Sequence, residues 1–425
     1  MDIVKIIVIS LFVFMYVLMI ALPRYRPYYA LGIALVYLCI GVLPLSRLAS
    51  IINWNVLLMI AGTMLLVHYF IVSKMPNLLA DILLKHTKNG MWVTVCMSLF
   101  AGVISAFIDN VATVLMVAPV GIAICKKLKT NPVGMILSIA VSSNLQGAAT
   151  LVGDTTSIML GDWAGMSFLD FFWMQGKPGI FFAVELGAIA TVPVMLLLFR
   201  KDQSPVEVSD ITQVTDYLPA AMLALMVVGL IAASFIPNTP ELTNGFICCS
   251  LALLMMLLDA LKSRSITGMV EAVKSLDWET MLLLAGLFVV IGGITEVGLI
   301  DDIAGVIVSC GKGNVFVLYT MIVWGSVLIS AFVDNIPYVA TMLPVLSTVT
   351  AALGIQPQLL YFGLLSGATL GGNITPIGAS ANIAGVGLLN KEGYSVSFRD
   401  FTRIGLPYTL VAVTVGYLFL WLIWR

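Results

Sequence analysis

The stretch Ile-Ser-Ala-Phe-Ile-Asp-Asn at residues 104–110 recurs, with one conservative change, as Ile-Ser-Ala-Phe-Val-Asp-Asn at residues 329–335. The same separation along the chain aligns a leucine, two glycines and a threonine within 145–153 with the same residue types within 370–378. Several matches in one order at one separation make chance similarity implausible. The chain therefore contains an internal duplication, and each half places an Asp-Asn pair in the middle of an apolar run.

The composition assigns the chain to a membrane. Of its 425 residues, 60% are hydrophobic and only 10% are charged, whereas soluble proteins have roughly 25% charged residues. This excludes a soluble enzyme, a disordered protein and a collagen-like fibre. The net charge of −1 offers no basic surface for a phosphate backbone, so no nucleic-acid partner is expected. The apolar runs are continuous, which predicts an all-α polytopic protein rather than an outer-membrane barrel.

Hydropathy predicts five spans in each half of the chain. A polar linker at 201–216 separates a first repeat, 1–200, from a second repeat, 217–425. Because five is odd, the second repeat should be inverted in the membrane relative to the first. The ten predicted spans are 3–22, 28–45, 55–73, 133–162, 178–200, 215–236, 243–261, 279–299, 358–388 and 403–424.

The distribution of basic residues predicts the orientation. With the N-terminus outside, 16 of the 21 lysines and arginines, Arg24 and Arg26 among them, fall in inside segments. Inside loops of membrane proteins are enriched in these residues. We therefore expect a multi-pass protein of the cell (inner) membrane with both termini outside and the lipid bilayer as its solvent.

Two further apolar stretches, 91–125 and 313–353, have the Asp-Asn pairs at their centres. The first is too short for two full crossings, which need roughly 40 residues and a turn. A re-entrant hairpin is the economical interpretation, and the repeat extends it to the second stretch. The tips are then Asp109-Asn110 and Asp334-Asn335. Helix capping is one interpretation of these pairs, and ion or substrate coordination is another that is compatible with it.

The spans 133–162 and 358–388 are interrupted by glycine, proline and clustered hydroxyl and amide residues. Unwound backbone at membrane depth is tolerated only where it is buried in protein or lines a cavity, and its free carbonyls bind cations and polar solutes. Close helix packing through small residues is the alternative. The candidate site residues are Asp109, Asn110, Asn144, Gly147, Thr150, Asp154, Ser157, Asp334, Asn335, Thr369, Gly372, Asn373, Thr375, Ser380 and Asn382.

The four elements, two hairpins and two broken spans, favour a cationic or neutral ligand. They contain acids, amides and hydroxyls at the predicted site but no lysine or arginine there. The site should prefer a cation, a neutral polyhydroxy solute, or an anion bound together with cations. Na⁺ is a possible ligand of the tips, and no cofactor other than Na⁺ or H⁺ as a coupling ion is expected. The possible Na⁺ ligands are Asp109, Asn110, Asp334 and Asn335.

The repeated tips and the runs 144–157 and 371–382 resemble the ArsB/NhaD branch of the ion transporter superfamily. The resemblance is nearest to bacterial relatives of the melanosomal P protein, and divalent anion/sodium symporters are more distant. It implies a scaffold domain, a mobile transport domain, elevator-type alternating access and a homodimer. Two departures stand out: Ser157 replaces the family's asparagine, and Asp109 and Asp334 stand where dicarboxylate carriers have serine.

The sequence thus predicts a transporter and not an enzyme. The leading hypothesis is a Na⁺- or H⁺-coupled secondary active transporter of a small inorganic solute, either arsenite-type metalloid efflux or sodium/proton antiport. A sodium-coupled anion transporter of the dicarboxylate type is the alternative. An intramembrane aspartyl hydrolase, which also needs two buried aspartates, is a remote one.

Overall fold

The computed structural model describes residues 3–85, 87–204 and 211–425, so part of the predicted linker 201–216 lies outside the described residues. The described chain is helical apart from one hairpin of two-residue strands, β1 (Trp173–Met174) and β2 (Lys177–Pro178). The helices are α1 (Ile3–Ala21), α2 (Arg26–Cys39), α3 (Leu48–Ile51), α4 (Trp54–Val72), α5 (Met75–Leu84), α6 (Gly90–Ser105), α7 (Asn110–Leu128), α8 (Val133–Gly147), α9 (Thr155–Trp163), α10 (Ile180–Phe199), α11 (Leu218–Ala233), α12 (Thr243–Ser263), α13 (Thr267–Lys274), α14 (Trp278–Glu296), α15 (Leu299–Gly311), α16 (Val315–Ser330), α17 (Asn335–Leu353), α18 (Gln358–Gly371), α19 (Ser380–Lys391) and α20 (Phe398–Trp424).

The polytopic membrane class is confirmed. Among the described residues, eight helices are long and apolar enough to cross a membrane, or nine if α15 and α16, bent by 119° at their junction, form one span. The helix α2 ends at Cys39, earlier than the predicted 45, and Gly41 follows with φ +76°. A glycine with positive φ just after a helix commonly ends it.

Each half contains two helices joined by a short turn at its Asp-Asn pair. The turn residues are 106–109 between α6 and α7, and 331–334 between α16 and α17. Asp109 accepts hydrogen bonds from two backbone N–H groups of the first turn of α7, at 3.0 and 3.1 Å. Asp334 accepts one from the first turn of α17, at 3.1 Å. Both aspartates are therefore N-caps, as the capping interpretation expected.

The two predicted broken spans are each divided into two helices. The breaks lie at 148–154, between α8 and α9, and at 372–379, between α18 and α19. A Cβ at Gly153 would lie 2.5 and 2.6 Å from backbone oxygens across the break and on α6. At Gly378 the equivalent distances are 2.6 and 2.8 Å. These glycines let the unwound backbone approach the neighbouring hairpin more closely than any side chain would allow.

The order of elements repeats between the two halves, from α1–α10 to α11–α20. The packing repeats as well: α6 lies on α8, and α16 lies on α18. Helices of one half also pack on helices of the other half: α2 packs on α14, and α4 packs on α12. Helices α8 and α18 are buried along nearly their whole length, which places both breaks at the centre of the molecule.

Candidate functional site

Four asparagines join the first tip to both breaks. The Asn144 side-chain oxygen accepts a hydrogen bond from Asn110 Nδ2 at 2.8 Å. Its Nδ2 donates to the side-chain oxygens of Asn373 and Asn382, both at 2.9 Å. All four side chains are buried. The structure therefore brings predicted residues from the two halves into one amide network.

The same amides fasten the unwound backbone of the second break. Asn382 Nδ2 donates to the carbonyl oxygens of Gly372 and Thr375, at 2.9 and 3.0 Å. Asn373 Nδ2 donates to the carbonyl of Val141 at 3.1 Å. Carbonyls released by the break thus have partners inside the protein, as a buried interruption requires.

Equivalent threonines tie each break to the hairpin of its own half. Thr150 Oγ1 donates to the Ala106 carbonyl, and Thr375 Oγ1 donates to the Ala331 carbonyl at 2.5 Å. Because each hydroxyl donates its hydrogen bond to the backbone of a tip, these threonines position the tips. Of the other predicted hydroxyl residues, Ser157 is buried and its Oγ has no hydrogen-bond partner among the described residues.

The acid of the first break is linked to the second half. Thr156 Oγ1 donates to Asp154 Oδ2 at 2.7 Å and lies 3.2 Å from Thr369 Oγ1. Asp154 is buried, and a Cβ on Gly147 would touch the Asp154 Cβ at 3.3 Å. The candidates Asp154 and Thr369 therefore meet through Thr156, which the sequence analysis did not select.

A cavity of about 20 Å³ lies between the two tips, the first break, α4 and the N-terminus of α14. Its volume suits a single water molecule or a small ion, since about 10–15 Å³ is the minimum for a water. Three carboxylates line it, and no lysine or arginine of the described chain does. The polar lining residues are Asp109, Asp154, Asp277, Asn110, Asn335, Thr63, Thr155, Thr280 and Ser380.

Asp277 is a member of this cavity that the sequence analysis missed. It caps α14 and accepts hydrogen bonds from the backbone N–H and the hydroxyl of Thr280, at 2.9 and 2.6 Å. In sequence it precedes an apolar span and looks like an ordinary interfacial cap. Its position at the cavity follows only from the packing of α14 beside the first tip. Within the described ranges, no group of three His, Cys, Asp or Glu side chains is close enough to hold a metal ion, so the three acids are not a preformed metal cage.

Arg26 is the second residue that was missed, and it corrects an expectation. Its Nη1 lies 2.6 Å from Asp334 Oδ2, and its Nε donates to the Met19 carbonyl at 3.3 Å. Both members of the ion pair are buried, with 11% and 3% of their side chains exposed. The four predicted elements lack a basic residue at the site, but the start of α2 supplies one. The expectation of a site without fixed positive charge is therefore wrong at the second tip.

The two tips consequently differ in their surroundings. Asp334 also accepts a hydrogen bond from Ser380 Oγ at 3.3 Å, and its neighbour Asn335 is buried. Asp109 is partly exposed and takes part in no ion pair among the described residues. One acid is neutralised by a fixed cation, whereas the other faces the cavity.

A polytopic helical protein with two halves that meet in a buried polar site around two helix breaks has the architecture of a membrane transporter, and its family and relatives are transporters rather than enzymes. A family model described as "Citrate transporter" (CitMHS) matches residues 15–367. This covers most of the chain, so the protein belongs to the CitMHS family.

Several known proteins are similar along most of the chain. The "Uncharacterized transporter Rv2684" of Mycobacterium tuberculosis (strain ATCC 25618 / H37Rv) is 30% identical over 379 residues, covering 87% of this chain and 86% of that protein. The "P protein" of Homo sapiens is 25% identical over 459 residues, covering 88% of this chain and 54% of that protein. The likeness to the P protein is thus confirmed, whereas the narrower ArsB/NhaD assignment stays a prediction.

Two solved transporters share the fold. The Alcanivorax borkumensis YdaH transporter aligns with a TM-score of 0.59 at 13% identity, covering 88% of this chain and 86% of its own. Neisseria gonorrhoeae MtrF, described within a class of antimetabolite efflux pumps, aligns with a TM-score of 0.56 at 15% identity, covering 91% and 83%. At such identities the likeness concerns the fold alone.

Proposed function

We propose that the protein is a cation-coupled secondary active transporter, and that Na⁺ and H⁺ exchange at the first tip. The observation on which this rests is the cavity bounded by Asp109, Asp154 and Asp277. Carboxylates placed around a water-sized space inside a membrane protein are costly unless a cation or protons neutralise them. Oxygen atoms from acids, amides and hydroxyls are also the ligands that hard cations prefer.

Sodium/proton antiport is the activity that this geometry supports best. A site with acids on several sides can hold either one alkali cation or protons, and competition between them couples their movements. Asp109 is the central ligand in this proposal because it is the partly exposed acid of the two tips, with Asn110 and Asp154 beside it. Arsenite, a neutral polyhydroxy solute, is the other inorganic candidate, since it would need no positive partner.

A sodium-coupled anion symport is the second candidate function, and two observations favour it. The family model that matches the chain is described as a citrate transporter. Arg26 supplies a buried positive charge beside the second tip, which the sequence analysis did not foresee. Against it, Asp334 already occupies that guanidinium, so a carboxylate substrate would have to displace an internal carboxylate.

Alternating access is proposed to use an inverted repeat, 1–200 and 217–425, in a homodimer of the inner membrane with both termini outside. The proposed scaffold consists of α2, α4, α12 and α14, which pack across the halves. The proposed moving part, the elevator, consists of α6–α9 and α16–α19, which pack on one another. The second tip lies against Arg26, and the first tip lies beside Asp277. These two residues are at the predicted inside ends of α2 and α14. With the proposed orientation, this arrangement would be an inward-facing state.

A cleft of about 780 Å³ on the opposite, predicted outer side supports such a movement. It is lined by Asn53, Asn55 and Asp162 among others, and Asn53 caps α4 as Asp277 caps α14. The duplication makes these two caps equivalent. The second tip would meet Asn53 in the outward-facing state, as the first tip meets Asp277 here.

The experiment is proton-gradient dissipation in everted membrane vesicles. Addition of NaCl or LiCl should dissipate the gradient, and Asp109→Asn should reduce this response at least tenfold at equal protein level. The matched control is Asp301→Asn, which removes an exposed acid on α15. Radiolabelled arsenite and citrate are tested in parallel. Accumulation of citrate with sodium, without sodium/proton exchange, would instead establish the anion symport, and accumulation of arsenite alone would establish metalloid efflux.

A further inference from the structure

The two hairpin tips offer an internal comparison. They have nearly the same sequence, Ile-Ser-Ala-Phe followed by Ile or Val and Asp-Asn. Their capping aspartates have similar backbone angles, φ −45° and ψ 138° at Asp109 against φ −54° and ψ 138° at Asp334. A difference in function between the tips must therefore come from what each tip contacts.

We propose that Arg26 is a resident cation at the second tip, and that only the first tip binds an exchangeable cation. This inference rests on the proposed cation exchange at Asp109. It assigns Arg26 as the residue that determines how many cations are coupled to each transport cycle. By the duplication alone, two equivalent cation sites would be expected.

The geometry at Asp334 is that of a ligand satisfied from within the protein. Arg26 Nη1 approaches Asp334 Oδ2 at 2.6 Å, where Ser380 Oγ also approaches at 3.3 Å. The other carboxylate oxygen accepts the backbone N–H of Ile336 at 3.1 Å. A guanidinium keeps its proton at every physiological pH. The positive charge at this tip is therefore permanent, whereas a bound alkali cation can leave.

Arg26 is held in this position by its own segment. Its Nε donates to the carbonyl of Met19 on α1. The same helix docks on α17 through the Tyr16 hydroxyl, which donates to the Pro337 carbonyl at 2.8 Å and lies 2.8 Å from Thr341 Oγ1. These bonds fix the start of α2 beside the second tip. Nothing equivalent reaches Asp109, which has no basic partner among the described residues.

Removal of the guanidinium should open a cation site. Arg26→Gln leaves Asp334 as a buried carboxylate without a counter-charge, which is strongly destabilising. An alkali cation can then take the vacated position and restore stability. The double variant Arg26→Gln/Asp334→Asn has no charge to neutralise and needs no cation. Arg26→Lys keeps the positive charge and is the conservative control.

The first readout is the thermal unfolding of purified protein in choline, sodium, lithium or potassium chloride at equal ionic strength. In choline chloride, Arg26→Gln and Asp334→Asn should each lower Tm by roughly 5 °C, and the double variant should recover most of the loss. An alkali chloride should raise the Tm of Arg26→Gln by several degrees more than it raises that of the double variant or Arg26→Lys. If Arg26→Gln can be isolated only with an alkali cation present, its yield in sodium against choline replaces Tm.

An Arg26→Gln protein whose stability or yield is the same in alkali and choline chlorides would overturn the inference. So would a double variant less stable than both single variants. These outcomes are independent of transport, so they test the resident-cation role of Arg26 even if wild-type vesicles show no sodium/proton exchange. That result would refute the proposed function and, with it, the exchangeable site at the first tip.

The second readout is the sodium dependence of exchange. The Hill coefficient should be about 1 in the wild type and rise towards 2 in Arg26→Gln, because a second exchangeable site is then present. A wild-type Hill coefficient near 2 that falls in Asp334→Asn would contradict a resident cation, since Asp334 would then bind exchangeable sodium itself.

Discussion

Replacement of Asn144 by alanine tests the amide network that joins the two halves. Asn144 makes three buried side-chain hydrogen bonds, at 2.8, 2.9 and 2.9 Å, to Asn110, Asn373 and Asn382. An interhelical hydrogen bond in a membrane protein contributes about 0.6 kcal/mol on average, and a polar group left buried without a partner costs about 1–3 kcal/mol. The remaining bonds of Asn373 and Asn382 limit their loss. We therefore expect the free energy of unfolding to fall by about 2–3 kcal/mol.

The assay is chemical unfolding of the purified protein in mixed detergent micelles. Ser138→Ala is the matched control, because Ser138 lies buried on the same helix and its hydroxyl has no hydrogen-bond partner among the described residues. Removal of such a hydroxyl should be neutral or stabilising. Equal stability of Asn144→Ala and Ser138→Ala would refute this prediction, because the amide network would then contribute nothing to the free energy of unfolding.

Two further predictions concern the breaks. Gly153→Ala and Gly378→Ala should each reduce folded protein and abolish transport, because a Cβ would lie within 2.6 Å of backbone oxygen atoms. Gly387→Ala, where nothing lies within 4 Å of the added Cβ, is the control and should leave both unchanged. Thermal unfolding measures the folded protein, and the vesicle assay measures transport. Thr156→Val should weaken sodium activation of exchange about tenfold without loss of folded protein, because it removes one charge-assisted hydrogen bond to Asp154. Unchanged sodium activation would show that this bond does not position the Asp154 carboxylate.

Much of the fold was predictable because it depends on local pattern. The duplication located both turns, and the observed turns at 106–109 and 331–334 precede α7 and α17 at the repeated asparagines. The glycine-rich runs located both helix breaks, since glycine weakens a helix wherever it lies. These signals are contained in short stretches of sequence and need no knowledge of neighbours.

The residues that were missed depend on contacts between distant segments. Arg26 belongs to the start of α2 and Asp334 to the second hairpin, and no periodicity relates them. Counting positive charges placed Arg26 in an inside segment with Arg24, but only Arg24 is exposed. Asp277 has the sequence context of a helix cap, and its position beside the first tip follows from the packing of one half on the other.

The central claim, that sodium and protons exchange at the first tip, is tested most directly by proton release from purified protein in a weakly buffered solution. Saturating NaCl should release about one proton per chain from the wild type and none from Asp109→Asn, because the cation and the proton compete for the same acids. Choline chloride controls for ionic strength. Absence of both proton release and saturable ²²Na⁺ binding in the folded wild-type protein would contradict the account.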